Sequence, residues 1–471
     1  MKNRFLTYLS IAALTVSSVG CDKYFEDDVV SPNDPEKVTA ALLMSNIQVA
    51  TFASFGGQLT RQAHVMTQQM AGTNAGSQSV EIAQYNITEQ TNVNSWRAIY
   101  SGTIVNGKIL IADFGDGNPW YRGITKVLLA MNFGLATDVW GDVPFTEAGQ
   151  GLDGNLSPAY NSQEDVISGI QTLLDEAIAE LKEPEANNTL IPASDDFIFA
   201  GDVDAWLKTA YLLKARYANR LSERDPNYPQ SVLDIFTAAS NDGAAMTSAA
   251  DDANMLFGGG NGLNQWYAYE QSRSGYLRAG KTYVDMLNAQ NDPRRPFFLT
   301  PDSSGTNFSG TAVDDLQNVS SSYVGPYYAS SSSPIPLTSY VEWKFIEAEA
   351  NFRAGNTGPA ATAYNDAIIA SVEQVTGAAA DPAFVTAVAS ETGASITLEK
   401  IMTQKYMALF CQIETWADWR RTGFPALSPN PNGVNNPLVI PVRFIYSQEE
   451  RQYNTSFPGT KRLNEPVWWD N

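Results

Sequence analysis

The chain reads as an all-α protein. Apolar residues recur at helical spacing through most of the sequence from residue 35 onward. Several of those segments begin with cap residues, and one consecutive pair is joined by a bare Gly355-Asn356 turn.

Lys2 and Arg4 precede an apolar run over 5–16, and Ser17-Ser18-Val19-Gly20 lead into Cys21. This predicts a secretory signal over residues 1–20. Its apolar run is too short for a permanent membrane span. A cysteine at this point is the usual site of lipid attachment, although Ser18 stands where leucine is commonest; the alternative is an ordinary signal whose cleavage site lies near a Cys. Residues 21–36, with Glu26-Asp27-Asp28 and two prolines, read as an acidic tether, and 37–471 as one domain. The spacing predicts helices over 35–55, 94–111, 120–137, 162–182, 202–222, 231–239, 277–289, 338–353, 359–376 and 395–416. Ser162 with Asp165 has the form of a capping box. Gly355 closes one helix, and Gly358-Pro359 open the next. The pair formed by 340–353 and 359–368, with small residues on the second helix, is similar to a tetratricopeptide unit. No exact period recurs, so the repeat is degenerate. Between helices lie long segments without helical spacing, 71–94, 138–161, 244–276 and 300–337, and loops of that length are usually functional.

Composition narrows the chemistry. Loss of residues 1–20 would leave 28 basic residues against 51 acidic ones, a charge of −23. Such a surface repels phosphate backbones, so nucleic acid is not an expected partner. Charged residues make up only 17% of the chain, amides and hydroxyls are plentiful, and this suits an extracellular surface meeting neutral, hydroxyl-rich ligands. With Cys21 lipidated, Cys411 has no disulfide partner and reads as a small buried hydrophobe. A single histidine, His64, cannot build a His-cluster metal site and has no nucleophile elbow near it. Carboxylates are then the remaining catalytic candidates. Glu342 and Glu349 share a helix face and Glu347 is turned away, which reads as packing-pair acids. Arg420 and Arg421 could hold a carboxylate ligand by a fork, but are expected to pair with internal acids such as Glu347, Glu349 or Glu414. Asp153, Asn155, Ser157 and Glu164 fall at calcium-loop positions, but Pro158 occupies the place where glycine is required. No catalytic residue, metal or cofactor is therefore assigned.

Sugars present apolar C–H faces on which aromatic rings stack, while amides and guanidiniums satisfy hydroxyls. The ligand site is accordingly sought among loop aromatics. The segment 261–276 supplies Trp266, Tyr267, Tyr269, Arg273 and Tyr276; 321–328 supplies Tyr323 and Tyr327; and 74–86 supplies Gln78 and Tyr85. Trp266 reads equally as ligand platform or loop anchor. Trp206, on an amphipathic helix, and Trp96 with Tyr100, four apart, read as core. The overall charge disfavours anionic glycans unless a local Arg273/Arg278 patch overrides it.

A set of ordered motifs adds a resemblance. Thr137-Asp138-Val139-Trp140-Gly141-Asp142-Val143-Pro144-Phe145 is followed by Gly201-Asp202-Val203-Asp204-Ala205-Trp206 and Leu213-Lys214-Ala215-Arg216. Asn291-Asp292-Pro293-Arg294, Glu342 and the helix around Glu347 and Glu349 come next. Gln404-Lys405-Tyr406, Trp416, Trp419-Arg420-Arg421-Thr422-Gly423-Phe424-Pro425 and Ile440-Pro441-Val442-Arg443-Phe444 complete the set. In type, order and spacing this resembles the SusD/RagB-like nutrient-binding outer-membrane lipoproteins of Bacteroidetes, from Cys21 to Trp468-Trp469. The resemblance implies tetratricopeptide-like helix pairs on one side and a loop-rich region on the other. It implies a SusC-like TonB-dependent transporter as partner, display on the cell surface through an N-terminal lipid, and ligand contacts from variable loops. The expected function is capture of an oligosaccharide or polysaccharide and its delivery to that transporter, without covalent chemistry. Peptide or other nutrient cargo, a surface glycoside hydrolase with paired carboxylates, and a helical scaffold with a protein partner are the rivals.

Overall fold

In a computed structural model, which describes residues 38–260 and 262–470, helices form most of the molecule. The expected signal over 1–20, Cys21 and the expected acidic tether lie outside the described residues. The principal helices are α1 (Ala40–Gly56), α2 (Gln58–Met66), α3 (Val105–Phe114), α4 (Pro119–Trp140), α5 (Gln163–Leu181), α6 (Val203–Asn219) and α7 (Tyr228–Asn241). They continue with α8 (Gln265–Ser272), α9 (Lys281–Ala289), α10 (Tyr340–Arg353), α11 (Thr357–Thr376), α12 (Leu398–Ala408) and α13 (Glu414–Thr422). No helix among the described residues is long and apolar enough to cross a membrane.

Local chemistry accounts for the boundaries. Ser162 Oγ accepts the Asp165 N–H at 3.1 Å and the Asp165 carboxylate accepts the Ser162 hydroxyl at 2.7 Å, so α5 starts where the cap pattern predicts. Ser339 and Thr397 cap α10 and α12 in the same way. Gly423, at φ +71°, ends α13 in the left-handed conformation that the Thr-Gly pair of its motif permits. Helices α4 to α7 pack in succession, α7 meets α10, α10 packs on α11 and α12, and α12 meets α13. This is the tetratricopeptide-like array of antiparallel pairs, and α1 with α3 packs on its α4 end.

Close approach within the array depends on small residues. A Cβ on Gly134 of α4 would lie 1.9 Å from the Tyr217 hydroxyl oxygen of α6. Gly134→Ala is therefore expected to overpack this contact and destabilise the fold by about 1–3 kcal/mol, measured by chemical denaturation.

The structure departs from the predicted helices in three places. The segment expected as one helix over 94–111 contains a π-helical stretch, Ala98–Ile104, between Val93–Arg97 and α3. The start of 277–289 is a strand. The segment 395–416 breaks between α12 and α13, where buried Cys411 sits at φ +64° in a turn rather than on a helix. Within the expected loops 71–94 and 244–276 lie a short helix, Gln78–Ala83, and α8.

Three small antiparallel pairs stitch the loop-rich side: β1 (Met70–Gly72), β2 (Val143–Pro144), β3 (Tyr160–Asn161), β4 (Ala253–Met255), β5 (Leu277–Ala279) and β6 (Ile335–Thr338), joined as β1–β5, β2–β3 and β4–β6. The β1–β5 pair, with Met70 opposite Ala279, brings the segment after α2 against the segment after α8.

Most signature motifs meet inside the array. Arg216 forks onto Glu342 at 2.7 and 2.6 Å and lies 3.5 Å from Glu414. Arg220 bridges Asp138 and Glu414, and the Trp469 indole N–H donates to Asp138 at 3.0 Å. Arg421 forks onto Glu349 at 2.7 and 2.8 Å and reaches Asp418, which also holds Lys405 at 2.8 Å. Arg420 instead donates to the carbonyls of Asp138 and Val442 and lies over the Trp416 and Trp469 rings. Glu347 faces outward to Lys344 at 2.8 Å. Of the acids that sequence offered as catalytic candidates, Glu342 and Glu349 are thus committed to guanidiniums and Glu347 to the Lys344 ammonium.

Candidate functional site

On the loop-rich side, α2, the Gln78–Ala83 helix, the 90–94 segment and α8 enclose a cleft of about 300 Å³. Helix α2 follows α1 after Gly57 and buries Leu59, Ala63 and Met66 along one stripe, which leaves Gln58 and Arg61 at the cleft. Ser77 caps the Gln78–Ala83 helix, placing Gln78 and Ser79 on the facing wall. Asn264 caps α8 by accepting the Trp266 and Tyr267 N–H groups at 2.9 and 3.1 Å. One turn along α8, Tyr269 enters the cleft, where its hydroxyl and the Ser79 hydroxyl lie 2.8 Å apart. The Arg61 guanidinium lies 4.4 Å from the Tyr269 ring centroid, and that of Arg273 lies 5.6 Å from it. Gln62, Gln90, Thr91 and Asn94 complete the polar lining, and Val65, Ile82 and Leu277 the apolar part. Burial lowers the Arg61 pKa from its usual value; the Tyr269 and Tyr323 phenols oppose that shift and the Arg273 charge adds to it.

The surface suits a polyhydroxylated ligand: several amides and two guanidiniums offer donors, and one tyrosine ring is held in place by its own hydrogen bond. A cleft of about 510 Å³ on the helix-array side, with Gln290, Tyr364, Glu391 and Lys400, is roomier. Its Lys400 is already paired with Glu391 at 2.8 Å, so it offers less unspent hydrogen-bonding capacity.

Of the residues singled out from sequence, Gln78, Tyr269 and Arg273 come together here. Three others are core and not platform. Trp266 is 0% exposed and packs on His64, with ring centroids 5.6 Å apart. Tyr323 is buried and donates its hydroxyl to the Trp266 carbonyl at 3.0 Å. Tyr85 is buried with its hydroxyl accepting the Asn430 N–H at 2.8 Å. The physical reason is common to all three. A loop rich in backbone polar groups is anchored by aromatic side chains that fill the space beneath it. Tyr327 is half-buried against Tyr328, 4.8 Å away, and Tyr267 and Tyr276 are half-buried outside the cleft lining. Arg278, expected to join Arg273 in a basic patch, is paired with Glu270 at 3.1 Å.

Arg61, Gln58, Gln62 and Asn94 were missed. The signal for α2 was present in Leu59, Ala63 and Met66 at helical spacing. Among the described residues no group of three His, Cys, Asp or Glu side chains could hold a metal. In the tested calcium loop, the Asn155 amide donates to Glu147 at 3.1 Å, and Ser162 serves as the cap of α5.

Comparison with known proteins now places the chain. A comparison with curated proteins finds no match. Among solved structures, a SusD/RagB family protein from Bacteroides thetaiotaomicron superposes with a TM-score of 0.76 at 25% identity, covering 92% of this chain and 99% of that one. A chitin-binding SusD homolog from Flavobacterium johnsoniae gives 0.78 at 22% identity over 91% and 97% of the two chains. A further chitin-binding protein gives 0.77 at 24% identity over 92% and 100%. These likenesses bear on the fold. The SusD-like family model, described as starch-binding and associating with the outer membrane, matches residues 32–447, and the chain belongs to that family.

Proposed function

We propose that this protein is a cell-surface lipoprotein that captures a glycan in the Tyr269 cleft and passes it to a SusC-like TonB-dependent transporter. The observation that carries the reading is the cleft itself, where amides from α2, the Gln78–Ala83 helix and the 90–94 segment converge on one anchored tyrosine ring. Chitin binding by proteins of the same fold and the family's association with the outer membrane support it. Residues 1–20 act as the signal, Cys21 carries the lipid, 21–36 form the tether and 37–471 the binding domain. Mass spectrometry of the native N-terminus tests the anchor, and a free thiol at Cys21 would refute it. Binding rather than hydrolysis fits the engagement of Glu342, Glu349 and Glu414 by arginines.

The test is affinity electrophoresis through a panel of polysaccharides. Tyr269→Ala removes the half-buried ring and its hydrogen bond to Ser79 from the cleft wall. It is expected to weaken retardation by roughly tenfold or more while leaving the melting temperature nearly unchanged. Retardation that survives Tyr269→Ala would place the ligand elsewhere, and absence of retardation by every polymer would favour peptide or protein cargo.

A further inference from the structure

The cleft carries a charge that its surroundings do not answer. The chain holds 51 acidic residues against 30 basic ones, so carboxylates are in surplus. Many cations elsewhere use them: Arg216, Arg220, Arg294 and Arg421 in the interior, and Arg97, Arg122, Lys182 and Arg451 nearer the surface, each have a carboxylate partner. Arg224, Arg295, Arg420 and Arg443 have none among the described residues but donate to backbone carbonyl or side-chain amide oxygens. Arg61 and Arg273 do neither. Among the described residues neither makes an ion pair, and both lie against the same Tyr269 ring, at 4.4 and 5.6 Å. The adjacent acid, Glu270, is engaged by Arg278 at 3.1 Å and by the Ser274 hydroxyl at 3.0 Å. Arg61 is half-buried, and the neighbouring Arg273 charge adds to the cost of keeping its guanidinium ionised. A half-buried guanidinium with a like charge beside it at the exposed rim, in a protein with anions to spare, is poorly satisfied until an anion arrives.

We infer that the cleft selects an anionic glycan, one whose sugar rings carry carboxylate or sulfate, with Arg61 and Arg273 binding the charged group and the neighbouring amides the hydroxyls. This rests on the glycan reading above and departs from the neutral polymers that the chitin-binding relatives take. The negative charge of the rest of the molecule disfavours indiscriminate adsorption of polyanions, so retention of an acidic polymer would report a specific site. Arg278, bound to Glu270, takes no part.

The experiment uses the full chain, held in detergent, in affinity electrophoresis through four kinds of polymer. These are uronates (polygalacturonate and alginate), the same uronates with carboxyls reduced to alcohols, sulfated polymers (chondroitin sulfate and dextran sulfate), and neutral starch and glycol chitin. The expected result is retardation by an acidic polymer and none by the neutral set. Retardation by a uronate that is lost on carboxyl reduction assigns the carboxylate, and retardation by the sulfated set alone assigns the sulfate. Arg61→Gln and Arg273→Gln should each weaken binding roughly tenfold or more, and Arg61→Lys should recover part of it. Raising salt from roughly 0.05 to 0.5 M should weaken wild-type binding more than that of either glutamine variant. Unchanged melting temperatures show that the variants fold, and should Arg61→Gln melt early, Arg273→Gln at the exposed rim carries the test. Retardation by starch or chitin that both glutamine variants retain would overturn the charge selection and leave the glycan reading standing. Absence of retardation by all four kinds would overturn both.

Discussion

Glu349→Ala is expected to destabilise the protein by about 3–5 kcal/mol, because it removes the anion of a buried pair and leaves its cation behind. Glu349 is fully buried on α10. Its two oxygens accept from Arg421 at 2.7 and 2.8 Å, one accepts from the Asn219 amide at 2.9 Å, and Arg353 lies 3.3 Å away. Without it, buried Arg421 keeps the Ser222 hydroxyl and, as its one carboxylate, Asp418, which must also answer Lys405. Burial alone would raise the Glu349 pKa, but the Arg421 and Arg353 charges outweigh it and hold the carboxyl below its usual value of 4.5. Glu414 is held down in the same way by Arg216 and Arg220 against its own burial. The sign follows from proton counting. The unfolded chain takes up these protons first, so their stabilisation is present above about pH 4.5 and is lost as pH falls through the lower folded values. Asp138 works in the opposite direction, since burial raises its pKa despite Arg220. The deficit of Glu349→Ala relative to the wild type should therefore be largest near pH 7 and shrink toward pH 3 in urea melts. A deficit under about 1 kcal/mol at pH 7 would show that Arg421 finds another partner.

The same cluster explains what could be read in the sequence. Helix pairs were legible because apolar spacing, caps and the Gly355 turn are local. The Arg421–Glu349 pairing was legible because a carboxylate and a guanidinium on core-facing helix positions have few other ways to be buried. Trp206 follows the same logic: it is fully buried on α6, and its indole N–H donates to Asp196 at 2.7 Å. Arg420 was misjudged, since backbone carbonyls and two indole rings satisfy it and no local pattern announces them. The ligand region was legible as a region and not as a list of side chains. Whether an aromatic in a glycine-rich stretch points inward depends on partners far along the chain: Trp266 meets His64 and Tyr323, and Tyr85 meets Asn430. Arg61 escaped notice because its significance is the lack of an acid paired with it, a property of three-dimensional surroundings.

Trp266→Ala separates the two roles that the sequence allowed for this residue. As a ligand platform it would lose binding at little cost to stability. As the structure has it, the indole fills the space between α8 and α2, against the His64 ring at 5.6 Å, and His64 in turn lies 6.0 Å from Phe410. Phe410 stacks on Tyr283 at 4.6 Å and neighbours Phe298 at 5.9 Å, so one aromatic core runs beneath the loop-rich side. Emptying its Trp266 position should cost about 3–5 kcal/mol through lost burial and the cavity left behind. Trp266→Phe, which keeps a ring there, should cost less. Because α8 also carries Tyr269 and leads to Arg273, any binding defect in Trp266→Ala should follow its unfolding curve, whereas Tyr269→Ala should lose binding while folded. His64 provides an internal reporter as the chain's one histidine. Burial lowers its pKa from 6.5 to about 3, so the unfolded state takes up that proton first and its contribution to stability declines as pH falls below about 6.5. Water admitted by Trp266→Ala should relieve that burial and move the His64 titration toward 6.5, seen by NMR in the folded population. A His64 titration unmoved in Trp266→Ala, with wild-type stability, would return the indole to the ligand.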